Sequence, residues 1–153
     1  RFKCDWSSDV CSSDLLYNLG LKTYPNEKTL LINKISSLRK IKLYQDALDI
    51  CDEILSQAPN DNIVLYHKER ILHSVERYAD SIACCDVILS SYPDNSEVLF
   101  DKALSLARLH DQKTIHVLGM AISADHNLKI KAKKHETFSD WISNQDFVRL
   151  VSD

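Results

Sequence analysis

The three prolines of this chain are evenly spaced, and no other feature of the sequence limits its fold as strongly. Pro59 lies as far from Pro25 as Pro93 lies from Pro59, and this common spacing is called the repeat period below. They are the only prolines among the 153 residues. A sequence period of about 20–50 residues is typical of a solenoid, in which one supersecondary unit is stacked repeatedly. We therefore expect a stack of similar units.

The residues around the prolines recur with the same period. Three series of identical residues continue through three copies. They are Leu31, Leu65 and Leu99; Lys34, Lys68 and Lys102; and Leu38, Leu72 and Leu106. Between the first two of these copies, Cys51 and Asp52 align with Cys85 and Asp86. The prolines therefore mark a diverged sequence repeat.

Each copy contains two amphipathic helical patterns. Leu31, Ile35 and Leu38 are spaced by four and three residues, which predicts a helix over residues 27–40. A second apolar stripe that includes Ala47 predicts a helix over residues 44–57. With only two glycines in the chain, short connections between helices are favoured. The candidate N-cap residues of the first helices are Asn26, Asn60 and Asn95.

A repeating helical hairpin of about 34 residues resembles the unit of the tetratricopeptide repeat family. The segments Tyr44-Gln45-Asp46-Ala47 and Tyr78-Ala79-Asp80-Ser81 resemble the family's tyrosine-containing turn and the small residue that follows it. Ala47 and Ser81 would let the two helices of a pair approach closely. The resemblance implies an all-α fold, namely a right-handed superhelical solenoid of antiparallel helix pairs with a C-terminal capping helix.

The resemblance also implies a division of the chain. Residues 16–127 form the array, which begins with a truncated first repeat. Two full repeats, 28–61 and 62–95, and one degenerate repeat, 96–127, follow. An array needs a terminal helix with a polar outer face. Residues 128–153 fit this role, with a helix predicted over residues 128–139 that places Ile130, Ala132 and Phe138 inward, and a last short apolar helix that includes Phe147.

The first fifteen residues do not share these patterns. The run from Asp5 to Leu15 is rich in serine and aspartate, lacks a helical apolar period, and resembles the conceptual translation of a DNA-sequencing adaptor. We expect residues 1–15 to be a non-native or disordered leader and the natural N-terminus to be missing. Since no apolar run is long enough to cross a bilayer, no membrane partner is expected and a cytoplasmic location is the default prediction.

The sequence offers little support for catalysis or for nucleic-acid binding. The formal net charge is −3, and lysines gather only between Lys129 and Lys134. Gly20 and Gly119 are the only glycines, which leaves no phosphate-binding loop. Cys51, Cys84 and Cys85 lie on or beside a helical stripe without a Cys-x-x-Cys motif, and are interpreted as core residues. We predict no catalytic residue, no metal, no cofactor and no nucleic-acid partner.

The predicted function is a scaffold that binds a peptide or a helix of another protein. In a right-handed stack the first helix of each pair lines a concave groove. The residues expected to face a partner there are Asn33, Tyr66, His67, Arg70, Phe100 and Asp101. Some relatives clamp a terminal carboxylate with Lys and Asn, but Ile63 and Glu97 stand where further cations would be needed, so we do not expect that clamp.

Two other functions stay open. The apolar residues Leu16, Leu19 and Leu21 could let the truncated N-terminal face of the array bind a second copy of the chain. Alternatively, the array is the non-catalytic arm of a larger enzyme or regulator.

Overall fold

The computed structural model describes Leu19 and residues 28–152. This part of the chain is all-α, with no β-strand, and consecutive helices form antiparallel pairs. The helices are α1 Lys28–Lys40, α2 Tyr44–Gln57, α3 Asn62–Ser74, α4 Tyr78–Ser91, α5 Ser96–Arg108, α6 Lys113–Ala124, α7 Leu128–Lys134, the 3₁₀ helix Glu136–Trp141 and α8 Gln145–Val151. The predictions for residues 1–15, Leu16, Leu21, Pro25 and Asn26 lie outside the described residues.

The chain divides into two compact units. Among the described residues, the first unit ends at residue 71 and the second begins at residue 72, so the boundary falls within α3. The helices predicted over residues 27–40 and 44–57 are confirmed as α1 and α2, of which α1 is described from Lys28 onwards. The spacing of apolar residues was therefore sufficient to locate both helices.

The N-cap residues follow the repeat period more strictly than the prediction did. The Asn95 side chain accepts a hydrogen bond from Val98 N at 3.2 Å, as predicted. Before α3, however, the acceptor is Asp61, whose Oδ1 lies 3.3 Å from Val64 N. The prediction of Asn60 is therefore wrong by one position, because Asp61 is the residue that precedes Asn95 by one full period.

The turn within each helix pair contains one residue in the left-handed region. Lys42, Glu76 and His110 have φ values of 63°, 62° and 52°, and each follows the previous one by one repeat period. In each turn the N–H of the next residue donates to a carbonyl five residues earlier, as in a Schellman motif. These bonds join Leu43 N to Leu38 O at 2.9 Å, Arg77 N to Leu72 O at 2.9 Å, and Asp111 N to Leu106 O at 3.0 Å. The repeat is thus visible in the backbone itself.

Small side chains begin the second helix of each pair. Ala47 in α2 and Ser81 in α4 are both fully buried. In α6 the buried small residue is Thr114, which lies one position short of a full period after Ser81. The third pair therefore departs from the period of the first two.

An ion pair recurs between consecutive pairs of helices. In the first unit, Lys68 Nζ on α3 lies 2.6 Å from Asp52 Oδ1 on α2. In the second unit, Lys102 on α5 pairs with Asp86 on α4 at 2.5 Å. Both partners of the second ion pair lie one repeat period after those of the first. The helix that ends one pair therefore meets the helix that begins the next pair in the same register in both units.

The C-terminal residues complete the core of the second unit. The single helix predicted over residues 128–139 is wrong, since α7 ends at Lys134 and a 3₁₀ helix begins after the extended residue His135. Ala132 and Phe138 are buried as predicted, but Ile130 is 59% exposed. The buried residues of α7 are Leu128 and Ala132, four residues apart, which turns position 130 towards solvent.

Candidate functional site

The six residues predicted to face a partner are divided between the two units. Asn33, Tyr66, His67 and Arg70 belong to the first unit, whereas Phe100 and Asp101 belong to the second. Asn33 is exposed on α1, and Asp101 is half-buried on α5.

The residues on α3 form a compact cluster in the first unit. Tyr66 and His67 are half-buried, and their ring centroids lie 6.3 Å apart in an edge-on arrangement. Arg70 is exposed, and its guanidinium carbon lies 5.5 Å from the centre of the Tyr66 ring. Its Nη1 also donates to the Tyr66 hydroxyl at 3.4 Å. Residues four apart on a helix are neighbours, so this cation–π contact follows from the helix itself.

Arg39 on α1 joins this cluster, although the sequence analysis did not single it out. Burial lowers the pKa of His67, and the positive charges of Arg39 and Arg70 lower it further. Within the part of the chain that the structure describes, the buried Nε of Arg39 has no hydrogen-bond acceptor. Arg39, Tyr66, His67 and Arg70 are called the cationic cluster below. Two consecutive first helices, α1 and α3, contribute to it.

Charge is strongly segregated in the first unit. Helix α1 contains four cationic residues and no carboxylate, whereas α2 contains four carboxylates and no cation. The cations are Lys28, Lys34, Arg39 and Lys40, and the carboxylates are Asp46, Asp49, Asp52 and Glu53. Glu69 on α3 is only 1% exposed. Every exposed carboxylate within residues 28–71 therefore lies on α2, while the mostly buried Asp61 pairs with Lys28 of α1 at 2.5 Å.

In the second unit, Phe100 is not available at the surface. Its side chain is fully buried, with ring centroids 6.2 Å from His135 and 6.1 Å from Phe138. Lys131 Nζ lies 4.5 Å from the centre of the Phe100 ring. The expectation that Phe100 faces a partner does not fit this burial, because the C-terminal segment covers that side of α5. The aromatic residues Phe138 and Phe147 were the sequence signal for such a cover.

The second unit also contains a polar network that the sequence analysis did not predict. His73 Nδ1 lies 2.8 Å from Ser105 Oγ, and Ser105 Oγ lies 3.1 Å from Ser81 Oγ. The His73 ring packs edge-on against Tyr78 at 5.2 Å. Burial lowers the pKa of His73, and the charges of Arg108 and His135 add to this effect. Since both serines are fully buried, the network joins helices rather than presenting a reactive hydroxyl to solvent.

An open cavity of about 770 Å³ lies elsewhere in the second unit. Apolar side chains such as Leu99, Ile115 and Leu150 line it together with Asp94 and His116. Gly119 also lines the cavity, and a Cβ built at this residue would lie 3.7 Å from Leu150 Cδ1, an ordinary van der Waals distance. None of the predicted partner-facing residues lines this cavity.

Other expected features can be located on the described residues. Cys51, Cys84 and Cys85 are buried, which confirms their interpretation as core residues. In the described part of the chain, no three His, Cys, Asp or Glu side chains are grouped so that they could hold a metal ion. None of the helices described above is both long enough and apolar enough to span a bilayer.

Among the comparisons with known proteins, only the one with solved structures gives matches. No protein-family model and no curated protein matches the chain. A solved structure of MamA 41-end from Desulfovibrio magneticus RS-1 is 16% identical, with a TM-score of 0.70 over 92% of this chain and 83% of that one. A structure designated MamA MSR-1 C2 is 12% identical, with a TM-score of 0.73 over 93% of this chain and 83% of that one.

A third solved structure is a tetratricopeptide repeat protein from Parabacteroides merdae. It is 13% identical, with a TM-score of 0.62 over 93% of this chain and 66% of that one. At these identities the similarity concerns the fold only. The fold is therefore that of a tetratricopeptide-like helical protein, as the sequence resemblance implied.

Proposed function

We propose that this chain is a protein-interaction scaffold and that its partner binds the face of α1 and α3 on which the cationic cluster lies. Stacked helix pairs present extended surfaces that repeat proteins use for binding. One observation carries the proposal: Arg39, Tyr66, His67 and Arg70 gather on two consecutive first helices of the first unit. Arginine and tyrosine are among the residues that most often dominate binding energy at interfaces.

The partner is proposed to be a peptide or helix of another protein. The prediction that it binds in a concave groove, and the assignment of Asn33 and Asp101 to that groove, form part of this proposal. We propose no catalytic role, no nucleic-acid partner and no membrane partner, and the cytoplasmic location stays a prediction.

A photo-crosslinking experiment tests the proposed binding face. A photoreactive phenylalanine analogue replaces Asn33, which is exposed on α1, and in a matched variant it replaces Asp49, which is exposed on α2. Crosslinked proteins from a native extract are identified by mass spectrometry, and binding is then measured with each purified candidate. We expect a partner that crosslinks at position 33 and loses affinity when Arg70→Glu is introduced. Equal crosslinking at positions 33 and 49 would argue against this face.

Self-association is the second candidate function. The observation that favours it is Leu19, a large apolar residue that is 62% exposed. Light scattering across a concentration series tests this alternative. A dimer that forms with increasing concentration and is lost in Leu19→Ser would support it, whereas a monomer at every concentration would exclude it. The further alternative, a non-catalytic arm of a larger protein, stays a prediction.

A further inference from the structure

We infer that the partner segment bound by α1 and α3 is acidic and carries internal Asp or Glu side chains that pair with Arg39 and Arg70. This inference rests on the proposed function and specifies the chemistry of the partner. It differs from a clamp on a terminal carboxylate, because the proposed contacts are made by guanidinium groups to side chains within the segment.

The distribution of charge in the first unit supports an acidic partner. The exposed carboxylates of residues 28–71 all lie on α2, where Asp52 is already paired with Lys68. Helix α1 contributes only positive charges. Complementary potentials steer association and determine which partners are accepted. A basic segment would be repelled by the cationic cluster, whereas an acidic segment would be attracted.

The geometry of the cluster suits carboxylate groups. The guanidinium of Arg70 is supported against the Tyr66 ring, which limits the orientations of the side chain. Arg39 is half-buried, and in the described part of the chain its Nε has no acceptor. A planar guanidinium can donate two parallel hydrogen bonds to one carboxylate, and such charge-assisted bonds are about twice as strong as neutral ones.

His67 should make this binding dependent on pH. Within residues 28–71 it shares α3 with Tyr66 and Arg70, and burial together with the charges of Arg39 on α1 and Arg70 lowers its pKa. A carboxylate placed beside these groups would offset the arginine charges and raise that pKa again. Binding would then take up a proton, so affinity should increase as the pH falls through and below about 6.5, the ordinary histidine pKa.

The test uses the full chain and a fluorescein-labelled peptide of sixteen residues composed of glutamate, alanine and leucine. A control peptide has glutamine in place of every glutamate. Fluorescence anisotropy is measured at low ionic strength and at two pH values. We expect the glutamate peptide to bind and the glutamine peptide not to bind. Arg39→Gln should weaken binding about tenfold, which corresponds to the loss of one charge-assisted hydrogen bond.

Two further variants make the result specific. Arg39→Lys keeps the positive charge but lacks the paired donors of a guanidinium, so it should bind more tightly than Arg39→Gln and more weakly than the natural sequence. The double variant Lys133→Gln, Lys134→Gln removes exposed charge from α7 and should bind as the natural sequence does. Far-ultraviolet circular dichroism checks that each variant is folded. His67→Asn should remove the pH dependence without abolishing binding.

Several outcomes would overturn the inference. The inference is wrong if the glutamate peptide does not bind, or if it binds no better than the glutamine peptide. It is also wrong if Arg39→Gln binds the glutamate peptide as tightly as the natural sequence does, or if only the α7 variant loses binding. The photo-crosslinking result stands apart from these. If a partner crosslinks at position 33 while the glutamate peptide fails to bind, the scaffold function holds and only the acidic chemistry is wrong.

Discussion

Glu76 occupies a backbone position at which glycine would be more stable. Its φ of 62° lies in the left-handed region, where a side chain costs roughly 1–2 kcal/mol. Glycine removes that cost but loses more entropy on folding, by roughly 0.5–1 kcal/mol. We expect Glu76→Gly to raise the free energy of unfolding by about 0.5 kcal/mol in urea denaturation. The control is Asp49→Gly within α2, which should lower it by roughly 0.3 kcal/mol, because aspartate is itself a weak helix former.

Ala47 tests how closely the two helices of the first pair approach. Its side chain is fully buried at the start of α2, so added methylene groups have no space to occupy. Overpacking of this kind costs roughly 1–3 kcal/mol, and we expect that loss for Ala47→Leu in urea denaturation. Arg70→Ala removes an exposed side chain and should leave the melting temperature nearly unchanged. A neutral Ala47→Leu would mean that the close contact lies elsewhere.

At the scale of the helices, the same ion pair joins α2 to α3 and α4 to α5. Lys102 and Asp86 are partly exposed, and pairs of this kind contribute about 0.2–1 kcal/mol. We expect a double-mutant cycle with Lys102→Met and Asp86→Asn to give a coupling energy in this range. The coupling should decrease as salt is added, because salt screens exposed charges. A coupling energy of zero at low salt would show that the pair does not stabilise this junction.

The junction between α7 and the 3₁₀ helix should respond to pH. His135 Nδ1 accepts a hydrogen bond from Thr137 N at 3.3 Å, which requires an unprotonated nitrogen. Burial lowers the pKa of His135, as do Lys131 and Arg108, while Glu136 and Asp101 act in the opposite direction. The folded state therefore binds fewer protons than the unfolded state below about pH 6.5, and stability should fall as the pH decreases from about 7.5 to about 5.5.

Urea denaturation at several pH values measures this effect. The control variant is His135→Asn, which keeps a side-chain acceptor for Thr137 N but does not titrate. It should show a smaller decrease in stability over the same pH range than the natural sequence. His73 also has a lowered pKa, so part of the decrease should remain. An identical decrease in both proteins would mean that His135 does not contribute.

The helices that could be predicted from the sequence are those whose apolar residues are spaced three and four residues apart. That pattern located α1 and α2 because one face of each helix is buried. It could not locate the break at His135, which depends on a side-chain hydrogen bond to the backbone. The Lys and Asp series were visible as repeats, but their pairing depends on how neighbouring helices stack. Arg39 was missed for the same reason, since its neighbour His67 lies on another helix.

At the scale of the whole molecule, a stack of helix pairs needs a cover for its last apolar face. Phe138 and Phe147 provide that cover in the second unit, with ring centroids 5.4 Å apart, and Phe138 also contacts Phe100. The sequence analysis placed Phe100 among the partner-facing residues because it treated each helix pair separately. The C-terminal segment lies outside this helix pair, and its packing against α5 buries the Phe100 ring in the core.

Phe138 should therefore stabilise the molecule much more than its neighbours in the C-terminal segment. Phe138→Ala removes a buried ring, and we expect it to lower the free energy of unfolding by about 3–5 kcal/mol. Ile142→Ala, at a residue that is 68% exposed, should change it by less than about 0.5 kcal/mol. Urea denaturation followed by circular dichroism measures both. If Phe138→Ala were as mild as Ile142→Ala, the C-terminal segment would not be part of the core, and Phe100 would again be a candidate contact for a partner.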